Sequence, residues 1–331
     1  MQKRITLQDK ILDMNDFNLQ EIILEVFDYQ SLFNPVYAEF IRLLGKSKES
    51  VRALNEIPFL PIQLFKTLEI KTGEWSAEQT FESSGTGQHG VSKHAIASLD
   101  FYHKIARHCF QMHFGSILQY EFVGLLPNYL EKPNSSLVSM LQFFINESND
   151  ISENSFFLYD FSALNRHLNA LKKAKRKVIL FGVSFALLDF VAEYQIEFEQ
   201  LIIIETGGMK NRQRNIERSE LLTALKKGFP LSKIVSEYGM TEMLSQAYAL
   251  DAIEYRGTPF LKFLISDPTD PMQFLETGRR GIINVMDLAN IHSCSFLQTE
   301  DIGILNENGN LQVLGRFNPE DTRGCVQMYE S

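Results

Sequence analysis

Small and hydroxyl-bearing residues are concentrated in the sequence FESSGTGQHG, at residues 81–90. Backbone N–H groups of successive small residues can converge on an anion, and serine and threonine hydroxyls add donors without bulk. The stretch predicts a phosphate-binding loop, with a flexible surface loop as the alternative. It is not a Walker A loop, because no Gly-Lys-Ser/Thr closes it, and its glycine spacing differs from a dinucleotide fingerprint. The residues of interest are Ser83, Ser84, Gly85, Thr86 and Gly87.

The sequence EYGMTE, at residues 237–242, combines an aromatic ring, a glycine, a hydroxyl and a carboxylate. The ring of Tyr238 can lie against a nucleotide base, and Gly239 lets the backbone come close to a ligand. Thr241 and Glu242 offer oxygen atoms to a phosphate and to Mg²⁺. Alternatively, the same residues end a strand and cap a helix.

Two positions nearer the end of the sequence have residue types that bind nucleotides. In LQTEDIGIL, Asp301 follows a strand-like run and is predicted to lie in a turn, where its carboxylate can accept both ribose hydroxyls. In LGRF, Arg316 ends a strand and can contact a phosphate or a ribose. Ordinary acidic turns and surface arginines also occur in sequences of this kind, so neither position decides the function by itself.

The elements that would position these residues are clearest in the middle of the chain. Nearly all-apolar runs alternate there with amphipathic segments, which predicts an α/β fold with a parallel sheet covered by helices on both faces. Ligands bind beyond the carboxyl ends of such strands. The sequences ETGGMK and EYGMTE each follow a predicted strand at that end. The predicted strands are FVGLL, SFFLYD, KVILFGV, LIIIET and KIVSEYG.

The flanking segments have different patterns. Residues 10–50 have helical periodicity, whereas Pro58 and Pro61 argue against a helix in NEIPFLPIQLFK. Ser98 is predicted to cap a helix that buries Cys109 on its apolar face. From about Tyr255 onward, short strand-like segments separated by DPTDP, ETGRRG and NENGN predict a β-rich subdomain.

Composition restricts the classes of partner and location. The formal net charge is −9, so no positive field would attract a nucleic acid. The longest apolar run is interrupted and too short to span a membrane, and the first residues do not resemble a secretion signal, so a cytoplasmic location is expected. The 3 cysteines are too few and too widely spaced for a disulfide framework, and the 7 histidines lack a metal-binding spacing.

The order of the motifs carries more information than any one of them. The series SSGTG, TGGMK, YGMTE, TED and GR resembles the core motifs of the adenylate-forming superfamily of acyl and aryl ligases. The chain is more closely similar to the acyl-protein synthetase family, LuxE, through IPFLPIQLFK, FESSGTG, ETGGMKNRQRNI and GRFNPEDTRGC. The resemblance covers most of the chain from about Ile57. It implies the large domain of adenylate-forming enzymes over residues 1–316, with an α/β core to about residue 254, a β-rich subdomain over about 255–316, and a mobile tail, 317–331.

The resemblance implies an activity and a role for each matching residue. The activity is ATP- and Mg²⁺-dependent activation of a fatty acid as acyl-AMP, with transfer to a cysteine and then to a partner, an acyl-CoA reductase of the LuxC type or another acyl-accepting protein. By this resemblance, residues 83–87 would bind the ATP phosphates, and Gly207, Gly208 and Met209 would border adenine and the acyl group. Tyr238 would stack on adenine, Gly239 and Met240 would also contact the nucleotide, and Thr241 and Glu242 would hold phosphate and Mg²⁺. Asp301 would bind the ribose, and Arg316 would contact the nucleotide.

The end of the sequence departs from the superfamily pattern. Most adenylate-forming enzymes continue beyond the Gly-Arg strand into a small domain that supplies a catalytic lysine, whereas this sequence ends soon after Arg316. Lys66 and Lys210 are the candidate replacements for that lysine. Asn318 stands where the superfamily usually has an aspartate, so it is assigned no role.

Cys325 takes the position of the family's nucleophile. The preceding glycine would let the tail move, and the neighbouring Arg323 would favour the thiolate. Cys294 is a weaker candidate, in a segment that alternates like a strand. Two other functions fit the sequence: an acyl- or aryl-CoA ligase, and a non-catalytic nucleotide-binding scaffold of a reductase complex.

Overall fold

The computed structural model describes residues 2–14, 18–83, 90–127, 134–148, 155–207 and 216–317. The chain divides into two compact units. A terminal unit contains Met1–Glu74 and Pro259–Ser331, and a central unit contains Trp75–Thr258. Across the described ranges, no helix is both long and apolar enough to cross a membrane.

The terminal unit begins with three helices: α1 (Gln2–Leu12), α2 (Leu19–Phe33) and α3 (Pro35–Leu43). Helices α2 and α3 lie within residues 10–50, where periodicity predicts helices, whereas most of α1 precedes that region. Asn34 separates the last two, and its side chain caps α3 by accepting the Tyr37 N–H at 3.0 Å. Pro35 occupies the first turn of α3, where its missing N–H has no intrahelical partner to lose.

The proline-rich segment after these helices is only partly as expected. It forms a 3₁₀ turn (Leu54–Glu56), the short strand β1 (Leu60–Pro61) and a second 3₁₀ turn (Ile62–Lys66). The expectation of no helix was therefore wrong for Ile62–Lys66. Pro61 directly precedes that turn, where a proline breaks no hydrogen bond within it.

The central unit follows in chain order and contains the predicted alternation. Its elements are β2 (Gln79–Glu82), β3 (Lys93–Ile96), α4 (Leu99–Phe114), a 3₁₀ turn (Ile117–Gln119), β4 (Glu121–Leu125), α5 (Ser136–Glu147), β5 (Phe156–Phe157), α6 (Phe161–Lys173), β6 (Val178–Val183), α7 (Ser184–Glu193), β7 (Leu201–Thr206), α8 (Arg218–Gly228), β8 (Lys233–Tyr238), β9 (Ala247–Ala249) and β10 (Glu254–Tyr255). Strands β2 and β3 form an antiparallel hairpin. The main sheet has the order β5-β4-β6-β7-β8-β9, parallel except for β9.

Helices cover both faces of this sheet, as the apolar strands predict. Every residue of β6 is buried. Its Phe181 lies 6.4 Å, between ring centroids, from Phe144 of α5. The next residue, Gly182, faces the opposite side, where a Cβ would lie 2.6 Å from Leu187 of α7. The predicted cap is also confirmed, because the Ser98 hydroxyl accepts the Phe101 N–H at the start of α4.

The β-rich segment completes the terminal unit. Its strands are β11 (Leu261–Ser266), β12 (Gly281–Asp287), β13 (Phe296–Leu305) and β14 (Leu311–Arg316). Each is antiparallel to the next, and β1 pairs with β13 in parallel. The connections contain DPTDP, ETGRRG and NENGN, as their turn-forming residues predict.

Candidate functional site

Three neighbouring strands of the central sheet end at the same level. Val183 of β6 is in register with Thr206 of β7, which is in register with Glu237 of β8. Adjacent strands lie about 4.8 Å apart, so the segments that follow β7 and β8 begin side by side. The expectation that ETGGMK and EYGMTE share the carboxyl edge of a parallel sheet is therefore confirmed for the described residues 205–207 and 237–242.

Two acidic side chains are buried at this edge. Glu205 is 3% exposed and Glu237 is 8% exposed. Burial raises the pKa of Glu237 to about 7; the hydrogen bond that it accepts from the Thr206 hydroxyl opposes this shift, and the nearby charge of Glu205 adds to it. Glu237 therefore changes charge near neutral pH in the folded protein.

Glu205 has several polar partners. The Ser184 hydroxyl contacts one of its carboxylate oxygens and also lies 2.9 Å from the Gly207 carbonyl. Arg218, at the start of α8, donates to the other oxygen at 3.2 Å. Arg218 also donates to the Ser236 hydroxyl and, at 3.0 Å, to the Ala252 carbonyl. These bonds compensate the burial of the carboxylate and hold the end of β7 in place.

The motif after β8 forms a turn and not the cap of a helix. The Met243 N–H donates to the Met240 carbonyl at 3.1 Å, which places Thr241 and Glu242 at the two central turn positions. The Glu242 side chain is largely buried. Strand β9 follows this turn, so the helix-capping alternative is wrong.

Tyr238 and Gly239 are constrained by their neighbours. The Tyr238 ring is 9% exposed and lies 5.7 Å, between centroids, from Tyr255. A Cβ at Gly239 would lie 2.3 Å from Oε1 of Glu237. A side chain at this position would therefore displace the buried carboxylate.

The β2–β3 hairpin flanks the Ser/Gly-rich stretch. The Ser83 N–H donates to the Ser92 carbonyl and the Ser92 N–H donates to the Ser83 hydroxyl oxygen, both at 3.0 Å. These two bonds join the strands at the end of the hairpin nearest the Ser/Gly-rich stretch. In β3, the His94 ring contacts the Thr241 carbonyl, with 2.8 Å between Nδ1 and the oxygen. Several predicted site residues lie outside the described residues: Ser84, Gly85, Thr86, Gly87, Gly208, Met209, Lys210 and Cys325.

The terminal unit contains Asp301 and Arg316 as neighbours. Asp301 lies within strand β13, so the prediction of a turn was wrong. It is paired with Arg316, the last residue of β14, and Arg316 Nε lies 3.5 Å from its carboxylate. The register shifts between Ile302 and Gly303, and such an irregularity can redirect neighbouring side chains.

A glutamate and the proline-rich segment lie close to this pair. A carboxylate oxygen of Glu300 lies 3.4 Å from Nη1 of Arg316, and Glu300 accepts a 2.8 Å hydrogen bond from Gln63. Gln63 and Lys66 belong to the 3₁₀ turn that follows β1, and β1 pairs with β13. The structure thus attaches the segment bearing Lys66 to the strand bearing Asp301.

The cysteines in the described ranges are buried. Cys109 lies in the core of the central unit, as predicted. Cys294 lies in the loop before β13 rather than in a strand, and burial raises the pKa of its thiol to about 12. A buried thiol that resists ionisation is a poor nucleophile, so the structure argues against Cys294.

Sequence reasoning missed Glu205, Glu237, Ser184, Arg218 and His94. The two glutamates had a signal, since each is an acidic residue at the end of an apolar parallel strand, directly before or within a glycine-containing motif. The contact of His94 had none, because its partner is 147 residues away in the sequence. Within the described ranges, the structure contains no group of three or more His, Cys, Asp or Glu side chains suited to hold a metal ion.

Residues 15–331 match the family described as acyl-protein synthetase, LuxE. A similar protein is the long-chain-fatty-acid–luciferin-component ligase of Vibrio harveyi, 25% identical over 326 residues that cover 91% of this chain and 84% of the relative. The ligase of the same name from Aliivibrio fischeri is 23% identical over 310 residues, covering 84% of this chain and 79% of the relative.

Solved structures with a similar fold include O-succinylbenzoate coenzyme A synthetase of Bacillus subtilis in complex with ATP and magnesium ion. The TM-score is 0.52 at 19% identity, and the match covers 75% of this chain and 52% of that one. This chain therefore spans about half the length of that structure. The predicted fold, like the large N-terminal domain of adenylate-forming enzymes, is confirmed.

Proposed function

The chain belongs to the acyl-protein synthetase (LuxE) family, and from this premise we propose that it uses ATP to activate a fatty acid and transfers the acyl group to a cysteine. The proposal rests on the observation that the segments after β7 and β8 begin side by side at one edge of the central sheet. That edge is where α/β sheets bind ligands. The names of both relatives, fatty acid ligases, support the substrate class.

The proposed reaction has two steps. A carboxylate oxygen of the fatty acid attacks the α-phosphorus of ATP, the bond to the β-phosphate bridging oxygen breaks, and pyrophosphate leaves. The Cys325 thiolate then attacks the acyl carbonyl, a C–S bond forms, and AMP leaves with the carboxyl oxygen that it acquired. The thioester retains a reactive acyl bond for a final acceptor, which we propose to be an acyl-CoA reductase or another acyl-accepting protein.

Mg²⁺ fits the oxygen atoms available in the turn after β8. Thr241 and Glu242 are adjacent and supply a hydroxyl and a carboxylate. Mg²⁺ usually takes only one or two protein carboxylates and completes its shell with phosphates and water, so a fully protein-built cage is not needed. When bound, the ion would neutralise charge on the departing phosphates.

The remaining residues are proposed to orient the nucleotide and the acid. Tyr238 would lie against adenine, Asp301 would accept the ribose hydroxyls, and Arg316 would contact the nucleotide. The Ser/Gly-rich stretch at 83–87 would bind phosphates, with Gly207, Gly208 and Met209 bordering adenine and the acyl group. Lys66 or Lys210 would supply the cation that balances charge at the carboxylate.

Acid-dependent exchange of labelled pyrophosphate into ATP, measured with a panel of fatty acids, tests the first step. Incubation with ATP and a labelled fatty acid, followed by denaturing electrophoresis, tests the second. We expect the Cys325→Ala variant to keep exchange and lose the covalent label. Cys294→Ala is the matched control and should keep both, because the Cys294 thiol is buried and resists ionisation.

The other functions predict different results. A CoA ligase would form acyl-CoA equally well in the Cys325→Ala variant. A nucleotide-binding scaffold would show no acid-dependent exchange with any acid in the panel, and this result would contradict the proposal.

A further inference from the structure

We propose that His94 is a positioning residue, which fixes the turn bearing Thr241 and Glu242 against the hairpin that flanks the Ser/Gly-rich stretch. The inference rests on the proposed function, since it assigns His94 a part in arranging phosphate and Mg²⁺ contacts. It concerns the central unit alone, because both the hairpin and the turn belong to Trp75–Thr258.

The His94 side chain is held in a defined orientation. It lies on β3 opposite Phe81 of β2, and it is 1% exposed. Its Nδ1 atom is 2.8 Å from the Thr241 carbonyl oxygen. A carbonyl can only accept a hydrogen bond, so Nδ1 carries the proton and donates it. This contact orients the ring and assigns a proton to Nδ1.

The Thr241 carbonyl takes its hydrogen bond from outside the turn. The turn's own bond joins the Met243 N–H to the Met240 carbonyl. The peptide between Thr241 and Glu242 is the central peptide of the turn, and its carbonyl points away from that bond. A backbone oxygen left without a partner in a poorly hydrated place is unfavourable. His94 supplies the partner and thereby fixes the orientation of the central peptide.

The backbone of β3 connects this contact to the end of the hairpin nearest the Ser/Gly-rich stretch. Ser92, two residues before His94, is 2% exposed and exchanges two hydrogen bonds with Ser83. Ser83 is the first residue of the proposed phosphate-binding stretch. A short path, Ser83 to Ser92 to His94 to Thr241, thus connects the start of that stretch to the proposed Mg²⁺ turn. Because catalysis depends on placement within a fraction of an ångström, breaking this path should reduce turnover.

Two substitutions separate the hydrogen bond from the bulk of the ring. His94→Leu fills much of the space and has no donor. His94→Asn places an amide N–H near the position of Nδ1 and can restore the bond. The control His103→Leu removes a partly buried histidine of the central unit. His103 lies on α4, and its Nε2 contacts the hydroxyl of Ser139 on α5.

In the pyrophosphate exchange assay, we expect His94→Leu to lower kcat by about tenfold to a hundredfold. His94→Asn should recover most of this loss, and His103→Leu should leave kcat within about twofold of the native value. Thermal unfolding of each variant reports whether it is folded at the assay temperature. Equal kcat values for folded His94→Leu and native protein, or equal losses in the Leu and Asn variants, would overturn the inference.

Calorimetric titration with ATP, with and without Mg²⁺, gives a measurement independent of turnover. We expect Mg²⁺ to lower the Kd for ATP of the native protein and of the His94→Asn variant. In folded His94→Leu, the decrease in Kd caused by Mg²⁺ should be much smaller. An undiminished effect of Mg²⁺ in folded His94→Leu would overturn the inference while leaving the proposed function intact. Native protein that binds no ATP would overturn both.

Discussion

The buried carboxylate of Glu237 should make the stability of the folded protein depend on pH in a direction opposite to that of most acidic groups. Burial raises its pKa from 4.5 to about 7 in the folded state. Between these two values the folded protein retains a proton that the unfolded chain releases. The free energy of unfolding therefore falls as pH rises through this window, and it levels off once Glu237 is ionised in both states.

The size of the effect follows from the pKa difference. A shift of about 2.5 units, at about 1.4 kcal/mol per unit, corresponds to ~3 kcal/mol. Glu237→Gln has the same shape, remains neutral, and can still accept from the Thr206 hydroxyl. Relative to the native protein, the variant should therefore gain about 3 kcal/mol of stability between pH 4.5 and pH 8.

Urea unfolding at a series of pH values, followed by circular dichroism, measures this difference directly. All other ionisable groups are present in both proteins, so their contributions largely cancel in the comparison. Glu199→Gln is the control, because Glu199 is exposed in the loop before β7. If the stability curves of the native protein and the Glu237→Gln variant run parallel from pH 4.5 to pH 8, Glu237 does not carry the burial cost assigned to it.

Three further substitutions test other parts of the structure. Gly239→Ala should destabilise the protein by about 1–3 kcal/mol in urea unfolding, since a Cβ would lie 2.3 Å from the Glu237 carboxylate; unchanged stability would contradict the close contact. Arg218→Met should cost about 3–5 kcal/mol in the same assay by leaving Glu205 buried without its cation, and a loss below 1 kcal/mol would refute that pairing. Asp301→Asn should raise the KM for ATP in pyrophosphate exchange, and an unchanged KM would argue against ribose binding. The same substitution should change the free energy of unfolding by less than about 1 kcal/mol, because the ion pair of Asp301 with Arg316 is partly exposed.

Secondary structure could be predicted best where the local pattern of apolar residues reflects burial in the fold. The predicted strands KVILFGV and LIIIET form β6 and β7, because a strand covered by helices on both faces is apolar throughout and is bounded by amphipathic segments. The placement of ETGGMK and EYGMTE at one edge followed from this alternation. It needed no knowledge of distant contacts.

The features that were missed depend on register and on long-range contacts. Asp301 was expected in a turn that follows a strand-like run, but β13 continues through it and pairs it with Arg316. The proximity of Glu205 and Glu237 requires the β7–β8 register, which the length of the connection between those strands does not specify. The contact between His94 and Thr241 depends on how a hairpin packs beside a turn, and no local pattern encodes that arrangement.

The first helices of the chain help to place the strand that carries Asp301. Gln30 of α2 is fully buried. Its side-chain Nε2 lies 3.2–3.3 Å from the carbonyl oxygens of Asn290, Ile291 and Ser293. Its Oε1 accepts a hydrogen bond from the Ser295 N–H at 2.9 Å. Asn34 donates to the Ser293 carbonyl at 2.8 Å. Buried backbone groups need such partners, so the loop leading into β13 has its conformation set by side chains from α2 and its cap. The position of Asp301 therefore depends on residues more than two hundred positions earlier, as well as on its own strand.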